Sequence, residues 1–474
     1  MSQIGLPVGW VLANYADVYL SASNGTGGSQ NKEGVGIPVS RIETIANETI
    51  DYSRIGYLAE YEESKVEKHK LNFGDILFSH INSPIHLGKT AIYDGLQPLY
   101  HGINLLRIVV DREVVLPEFF DAHCRYIRAL GLFSLNAQHA VNQSSLNQKK
   151  LGSFELPLPP LAEQQIIIDK LDSLLAQVES IKTRLERIPE ILKQFRQSVL
   201  AAAVSGKLTE EWRGNSDSRI IEEYSKWDWG SGVPINWDVD IYPHLVKSRL
   251  GKMLDKQKNE GKPTKYLGNI NVRWASFDLE NIQEILVSEK EQIELAVQVG
   301  DVLICEGGEP GRCAIWKSDY NEPIIFQKAL HRARVSDRLL PEWLVFNLKN
   351  DADRNTLDQL FTGTTIKHLT GAALKSYPLR VPPINEQKEI LNRVNSLFFK
   401  ADVFEDQVKS ALDRVNNLAQ SILAKAFRGE LTTEWREANP ELISGENSAE
   451  ALLKRIKAER ELAKPATRRG RGKA

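Results

Sequence analysis

From Ile167 onward, apolar residues recur alternately four and three positions apart: Ile167, Leu171, Leu174, Val178, Ile181, Leu185, Ile188, Leu192, Phe195 and Val199. The stripe returns 223 residues later at Ile390, Val394, Leu397, Ala401, Phe404, Val408, Ala411, Val415, Leu418 and Ile422. Spacing of this kind, held over several heptads, is the seam of a coiled coil, because ~3.5 residues per turn keep one stripe facing a partner. Each stripe has an equal elsewhere in the same chain, so the simplest pairing is intramolecular and antiparallel. Pro159–Pro160 and Pro382–Pro383 cannot sit inside a helix and mark its start. Gly206 and Gly429 stand where a left-handed cap is expected. Pro189 falls inside the first helix and should kink it or remove one hydrogen bond. At ~1.5 Å rise per residue, Ile167 to Val199 spans roughly 48 Å.

The repeat is wider than the stripe. Leu151–Arg213 aligns with Leu374–Arg436 without a gap, and about a third of the positions are identical. The segments close on QSVLAAAVSGKLTEEWR and QSILAKAFRGELTTEWR. Such a register marks an internal duplication. Shorter echoes extend it: GLPVGW at Gly5 with GVPINW at Gly232, FGDILF at Phe73 with VGDVLI at Val299, GKTAIY at Gly88 with GRCAIW at Gly311, and LPEFF at Leu116 with LPEWL at Leu340. Between these anchors the halves diverge. Runs such as DILFSHI, INLLRIVV, DVLICEG and PIIFQKA, punctuated by Gly and Pro, read as strands, and PEFFDAHCRYIRAL and PEWLVFNLKNDADRNTL as helices. The expected fold class is α+β: two pseudo-symmetric mixed α/β domains separated by a long antiparallel intramolecular coiled coil of two helices. The boundaries expected are 1–155 and 214–377 for the domains, 156–213 and 378–436 for the helical repeats, and 437–474 for a basic, flexible tail.

At 474 residues, 42% apolar and 26% charged, the chain has the composition of a folded multidomain protein. It has no run long enough for a membrane helix, and the start MSQIGLPVGW lacks a basic, apolar leader. Cys124, Cys305 and Cys313 are too few and scattered for a disulfide framework, and read as buried thiols in a reducing, cytoplasmic setting. A net charge of −2 excludes a surface basic all over, but its distribution is uneven. Between Leu245 and Arg273 eight Lys/Arg face only Asp255 and Glu260, and from Lys454 onward nine more face Glu459 and Glu461. Local patches of this kind can bind phosphate even when the whole is neutral.

Catalytic patterns are missing. HLGKT carries the end of a phosphate loop, but Ser83 stands where its first glycine belongs. EGGEPGR at Glu306 does not fit GxGxxG and reads as a tight loop, and NGTGGSQNKEGVG at Asn24 as a flexible one. There is no HExxH, GxSxG or kinase catalytic loop, nor the Asn-Pro-Pro-aromatic motif that would hold a flipped base for amino methylation. The scattered histidines lack the spacing of a metal site, so neither a catalytic residue nor a metal ligand is assigned.

The ordered set of motifs resembles the specificity subunit of Type I restriction–modification enzymes over essentially the whole chain. The resemblance rests on PP-x-x-EQ at Pro159–Gln164 and Pro382–Gln387. It rests also on G-x-L-T-x-x-W-R, read as Gly206, Leu208, Thr209, Trp212 and Arg213 and again as Gly429, Leu431, Thr432, Trp435 and Arg436. It implies a subunit inactive alone, with two target-recognition domains that bind double-stranded DNA at two half-sites around a fixed spacer. It implies assembly with two adenine-methylating (M) subunits and two restriction (R) subunits, which bring S-adenosylmethionine, ATP and magnesium; the chain itself needs no cofactor. The G-x-L-T-x-x-W-R residues are then candidates for partner docking, with Trp212 and Trp435 also readable as core anchors. Residues shared by both halves cannot encode different half-sites, so DNA contacts should lie in the variable fillings. The candidates are Arg41, Ser79, His80, Asn82, Ser83, Lys89 and Arg107 in the first, and Lys252, Lys262, Asn269, Arg273, Glu306, Arg312, Lys328, His331 and Lys367 in the second. Arg and Lys suit guanine, Asn adenine and Glu cytosine, although most such contacts go to phosphate and sugar. Arg107 and Arg334 have a plainer reading, closing a sheet edge. The helices, slightly longer than the ~34–36 Å DNA repeat, make sense as a ruler. The alternative is a coiled-coil scaffold without sequence-specific DNA binding.

Overall fold

Each proline pair ends a short strand and frees the chain to begin a helix at the next residue. The structure, a computed structural model, describes residues 5–140, 143–230, 232–255, 259–317 and 322–462. Its two longest helices are α1 (Leu161–Val204) and α2 (Ile384–Phe427), of 44 residues each. α1 runs on through Pro189, whose missing N–H leaves the Leu185 carbonyl without its helical donor. Gly206 and Gly429 follow the helices at φ +78° and +73°, a left-handed backbone that glycine adopts without strain.

The chain forms two compact units, residues 1–185 with 411–474, and residues 186–410. In the first, Ile167, Leu171 and Val178 share a core with Ile422, Leu423 and Ala426. In the second, Val199, Leu200 and Ala203 share a core with Ile390 and Val394. In both, the start of one helix meets the end of the other, which is the antiparallel pairing. The seam opens to solvent at four of its positions. Leu171, Val178, Leu192 and Val199 are buried, whereas Ile181 and Phe195 are 45% and 38% exposed, and their counterparts Phe404 and Leu418 are 48% and 46% exposed.

Around the helix pair each unit builds the same sheet. In the first unit, β1 (Tyr19–Asn24), β2 (Ile76–Phe78), β3 (Thr90–Ile92) and β4 (Leu106–Val110) run antiparallel in the order β1-β4-β2-β3. In the second, β5 (Val246–Leu250), β6 (Val302–Cys305), β7 (Cys313–Ile315) and β8 (Leu330–Val335) run β5-β8-β6-β7. The helices Pro117–Ala129 and Pro341–Asp353, each with proline in its first turn, pack on β3 and β7. Phe119, Phe120 and Cys124 are buried on one, and Trp343, Leu344 and Leu348 on the other. The fillings differ: three short antiparallel strands between Gln30 and Leu58 in the first unit, and Lys262–Leu267 between Gln283–Val287 and a parallel Ile324–Phe326 in the second.

The repeated motifs prove to be one buried junction, formed twice. In the first unit the Glu163 carboxylate, fully buried, accepts from Trp10 Nε1 at 2.8 Å, Thr432 Oγ1 at 2.6 Å and Arg436 at 2.5 Å. In the second, Glu386 accepts from Trp237 Nε1 at 2.9 Å, Thr209 Oγ1 at 2.9 Å and Arg213 at 2.6 Å. Each glutamate is thus held by the WR end of the other repeat. The neighbouring glutamine pins the domain: Gln164 Oε1 accepts from Leu116 N and Gln387 Oε1 from Leu340 N, both at 2.8 Å, at the starts of the two sheet-covering helices.

Two expectations are corrected. Trp212 is not a core anchor: it is 47% exposed, Trp435 is half-buried, and the buried indoles are those of Trp10, Trp227, Trp237, Trp316 and Trp343. Nor is 437–474 a tail throughout. Ala449–Leu462 (α3) buries Ala449, Leu453 and Ile456 against the first unit, with Lys457 on Asp17 at 2.9 Å and Arg460 on Asp111 at 2.6 Å. An apolar face read as charge alone had hidden that helix; residues 463–474 lie outside those described.

Glu163→Ala should cost about 3 kcal/mol or more, because it leaves Arg436 buried without its counter-charge. Trp212→Ala should cost under about 1 kcal/mol by comparison. Urea unfolding of the two variants measures both, and equal losses would remove the junction from the account of stability.

Candidate nucleic-acid interface

The four-stranded sheets place their variable loops at one end. In the first unit, Gly74 (φ +85°) turns the chain into β2, and Asp75 Oδ2 takes the Asn72 N–H at 2.7 Å and Arg107 at 2.6 Å. The second unit repeats this with Gln298 N to Asp301 Oδ2 at 2.7 Å and Arg334 to Asp301 at 2.6 Å. Arg107 is therefore committed to the strand's entrance and belongs to the scaffold.

Past β2 the chain reaches His80, whose carbonyl takes the Leu146 N–H at 2.9 Å. Asn24, at the end of β1, donates to His80 Nε2 at 3.2 Å and accepts from Gln148 Nε2 at 3.0 Å. Asn82 Nδ2 donates to Ser79 Oγ at 3.1 Å, and the Asn82 side chain also takes the Ser83 N–H at 2.8 Å. Ser79 is fully buried and supports this cluster from beneath. Lys89 donates to the Ala46 carbonyl at 2.6 Å, and Arg41 pairs with Glu43 at 3.3 Å. The geometry thus joins His80, Asn82 and Ser83, and spends Ser79, Lys89 and Arg107 on the fold.

In the second unit the loop after β6 gathers more. Leu369 N donates to the Glu306 carbonyl at 2.7 Å, and Glu306 N to Ala329 at 2.9 Å. Asn269 Nδ2 donates to the Gly307 carbonyl at 3.1 Å, while Arg312 reaches the Asn269 carbonyl at 3.0 Å and Glu309 at 3.0 Å. Lys328 N donates to the Lys252 carbonyl at 2.8 Å. Lys252, Asn269, Glu306, Arg312 and Lys328 therefore stand together. His331 lies beneath them, its Nε2–H on the Leu369 carbonyl at 2.9 Å. Lys367 flanks the group, paired with Asp358 at 2.6 Å. Lys262 does not join: it begins the strand that ends near Asn269 and pairs with Glu289 at 2.8 Å. Arg273 bonds Asp278 at 3.1 Å and the Ile270 carbonyl at 2.7 Å, holding a hairpin beside the group. Lys256 and Lys258 of the basic run lie outside the described residues.

Several polar atoms at these two loop ends are buried without a hydrogen-bond partner among the described residues: His80 Nδ1, Asn269 Oδ1 and Arg312 Nε. Unmet atoms of this kind recur in the scaffold as well, at Thr90 Oγ1, Arg332 Nε and Arg380 Nε, so they do not by themselves mark a site. Most cations here already face a carboxylate, a pairing that phosphate can displace at little cost where the pair is exposed. Sequence reading missed Asn24 and Gln148. Their only signal was position, Asn24 opening a polar glycine-rich loop and Gln148 opening a helical turn. Among the described residues no group of three His, Cys, Asp or Glu could hold a metal, and no helix is long and apolar enough to cross a membrane.

The family model described as Type I restriction modification DNA specificity domain matches residues 26–190 and 245–412. The chain is 34% identical to the Type I restriction enzyme EcoKI specificity subunit of Escherichia coli (strain K12), over 97% of each chain. It is 38% identical to the StySPI specificity subunit of Salmonella potsdam, over 89% of this chain and 94% of that one. The crystal structure of the HsdS subunit from Thermoanaerobacter tengcongensis shares the fold at a TM-score of 0.58 and 18% identity, covering 90% of this chain and 99% of that one.

Burial lowers the pKa of His80 and His101 to about 4 and that of His123 to about 3. The unfolded chain protonates them near 6.5, so the native state loses stability as pH falls from about 6.5 toward 4 and is indifferent to them above. His101→Gln, which keeps a donor for the Leu105 carbonyl, should reduce the stability lost between pH 6.5 and 4.5 by on the order of 2 kcal/mol. Urea midpoints across that range test it; an unchanged slope would show that His101 does not stay neutral.

Proposed function

The chain belongs to the family of Type I restriction–modification DNA specificity subunits, and we propose that it binds an asymmetric, bipartite DNA site, one half-site per variable domain. The observation that carries this reading is one scaffold with two different loop ends. The sheets share strand order and the Asp-Arg turn, yet one end presents Asn24, His80, Asn82 and Gln148, the other Lys252, Asn269, Glu306, Arg312 and Lys328. Neutral His80 with three amides suits adenine edges and phosphate; Arg and Lys beside Glu suit a G·C pair. The paired helices α1 and α2 set the spacer between the half-sites.

In this reading the subunit performs no catalysis, works in the cytoplasm, and docks two methyltransferase subunits and through them the restriction subunits. Those partners supply S-adenosylmethionine, ATP and magnesium. Duplicated features call for a duplicated partner. Thr209, Arg213, Thr432 and Arg436 point inward and hold the junction, as Gly206 and Gly429 hold the turn before it. Leu208 and Leu431 are half-buried. Partner contact then falls to Trp212 and Trp435 and to the exposed column of the seam, Ile181, Phe195, Phe404 and Leu418.

Replacing residues 20–150 with a different filling, and mapping methylated sites in cells carrying the full system, should change one half-site and keep the other and the spacer. A change in both half-sites would sink the division of labour. Removing one heptad from each of α1 and α2 should alter the spacer or abolish assembly, with both half-sites kept in any complex that still forms. Lys328→Ala should weaken binding evenly across sequences and reduce the salt slope by about 1, as titrations of the methyltransferase complex on duplex DNA would record.

A further inference from the structure

One cation of the second unit is buried with little to hold it. Arg380, in the strand Pro378–Val381, is 3% exposed, and its Nε has no hydrogen-bond partner. Among the described residues its guanidinium forms no ion pair and donates no hydrogen bond. Arg332 Nε is unmet too, but that side chain donates from Nη1 to the Glu294 and Ala296 carbonyls at 3.1 and 2.8 Å. Arg380 has no such outlet. Burial lowers its pKa to about 10, so it stays charged at neutral pH. Asp351, the carboxylate whose field reaches it, accepts instead from the Tyr377 hydroxyl at 2.7 Å and from Asn350 Nδ2 at 3.0 Å. Burial also pushes the Asp351 carboxyl up from its usual range, which weakens it as a counter-charge. A buried cation compensated so thinly is costly to keep.

The same arginine lines a cavity of about 310 Å³ against the last turn of α1. Lys207 and Arg354 line it as well, Lys207 being exposed and without an ion pair among the described residues. Asp228 is the one carboxylate among the described lining residues, and Arg354 binds it. Three cations therefore face one anion. Trp229 covers one face of the Arg380 guanidinium at 5.1 Å. Stacking takes up that face and leaves the N–H edge, which lies in the plane of the group, free to donate. The negative end of the α1 dipole at this wall holds cations nearby, yet none of its carbonyls accepts from Arg380. An N–H fork of this geometry matches phosphate oxygens in pairs.

We propose that this cavity binds a phosphate group, free or carried by a small phosphomonoester, with Arg380 as the buried fork and Lys207 and Arg354 at its mouth. Arg354 exchanges the exposed Asp228 carboxylate for the phosphate, a trade that costs little at a surface pair. The DNA backbone is excluded by shape. A phosphodiester continues as a chain on both sides, and a group seated against an arginine 3% exposed has room for one substituent at most. Pro157 stands 223 residues before Arg380, so the first unit lacks the fork and the site occurs once per chain. The inference is independent of the DNA reading proposed above.

Inorganic phosphate and adenosine monophosphate, titrated separately into the full chain at low ionic strength without DNA, test this by calorimetry. Saturable binding of at least one of them is expected, at one site per chain, and the tighter of the two identifies the source. Arg380→Met should abolish it, and Lys207→Ala should weaken it at least about threefold. Asp228→Asn should strengthen it, because it removes the competing carboxylate and keeps a residue that tolerates the left-handed backbone at φ +48°. Phosphate stabilises folded proteins in general, so its effect on the urea midpoint is compared between variants: the rise should be larger in the unaltered chain than in Arg380→Met. Should Arg380→Met not fold, the opposite signs of Lys207→Ala and Asp228→Asn, both at exposed positions, decide. No saturable binding, equal binding in Arg380→Met, weaker binding in Asp228→Asn, or release of phosphate by a short DNA duplex would each overturn the proposal.

Discussion

A carboxylate removed from water is tolerable only beside a matching cation and enough donors to satisfy its oxygens. Glu163 and Glu386 are both in that position, and everything that recurs in this chain is arranged around them. Tryptophan, threonine and arginine converge on each glutamate, and the arginine always comes from the opposite repeat. The junction therefore forms only when the start of one long helix lies beside the end of the other. A parallel or displaced pairing would leave two buried charges unpaired. The apolar seam supplies the larger share of the favourable burial, but it would accept several registers; the ion pair accepts one.

With that register fixed, the fillings are free to vary. The adjacent glutamine ties each helix start to the helix that covers the sheet, and the Asp-Arg pair sets the strand that carries the loop end. Neither connection passes through the residues at the loop tips. Side chains there can change without disturbing the core, which is what a subunit that must read unrelated sequences on one frame requires. Near-neutrality overall fits the same arrangement, since most cations at the loop ends face a carboxylate, as Lys252 does Glu291 and Arg312 does Glu309.

Much was legible in the chain alone. A 4-3 stripe written twice, proline pairs and closing glycines placed both helices and their antiparallel pairing, because helix periodicity and backbone sterics act locally. The duplicated motifs gave two like domains and, by resemblance, the family. The rest was hidden for one reason. Arg107, Ser79 and Lys89 have the chemistry of DNA contacts yet engage Asp75, Asn82 and the Ala46 carbonyl, and nothing local distinguishes an arginine facing solvent from one closing on Asp75. Trp212 was readable as docking surface or as core because an indole serves either, and α3 was read as charge because its apolar face is only three residues wide.

Sequence by itself determined the helices, the repeat and the stock of groups available to touch DNA, since each follows from spacing within a short stretch. Tertiary structure alone decided which of those groups face outward. It brought Asn24 beside His80 from 56 residues away and Gln148 from 124 beyond Asn24, and spent the best-kept arginines on buried glutamates. Those outcomes depend on what a side chain meets across the fold, and that meeting is set by the packing of distant segments, not by the residue's own neighbours in the chain.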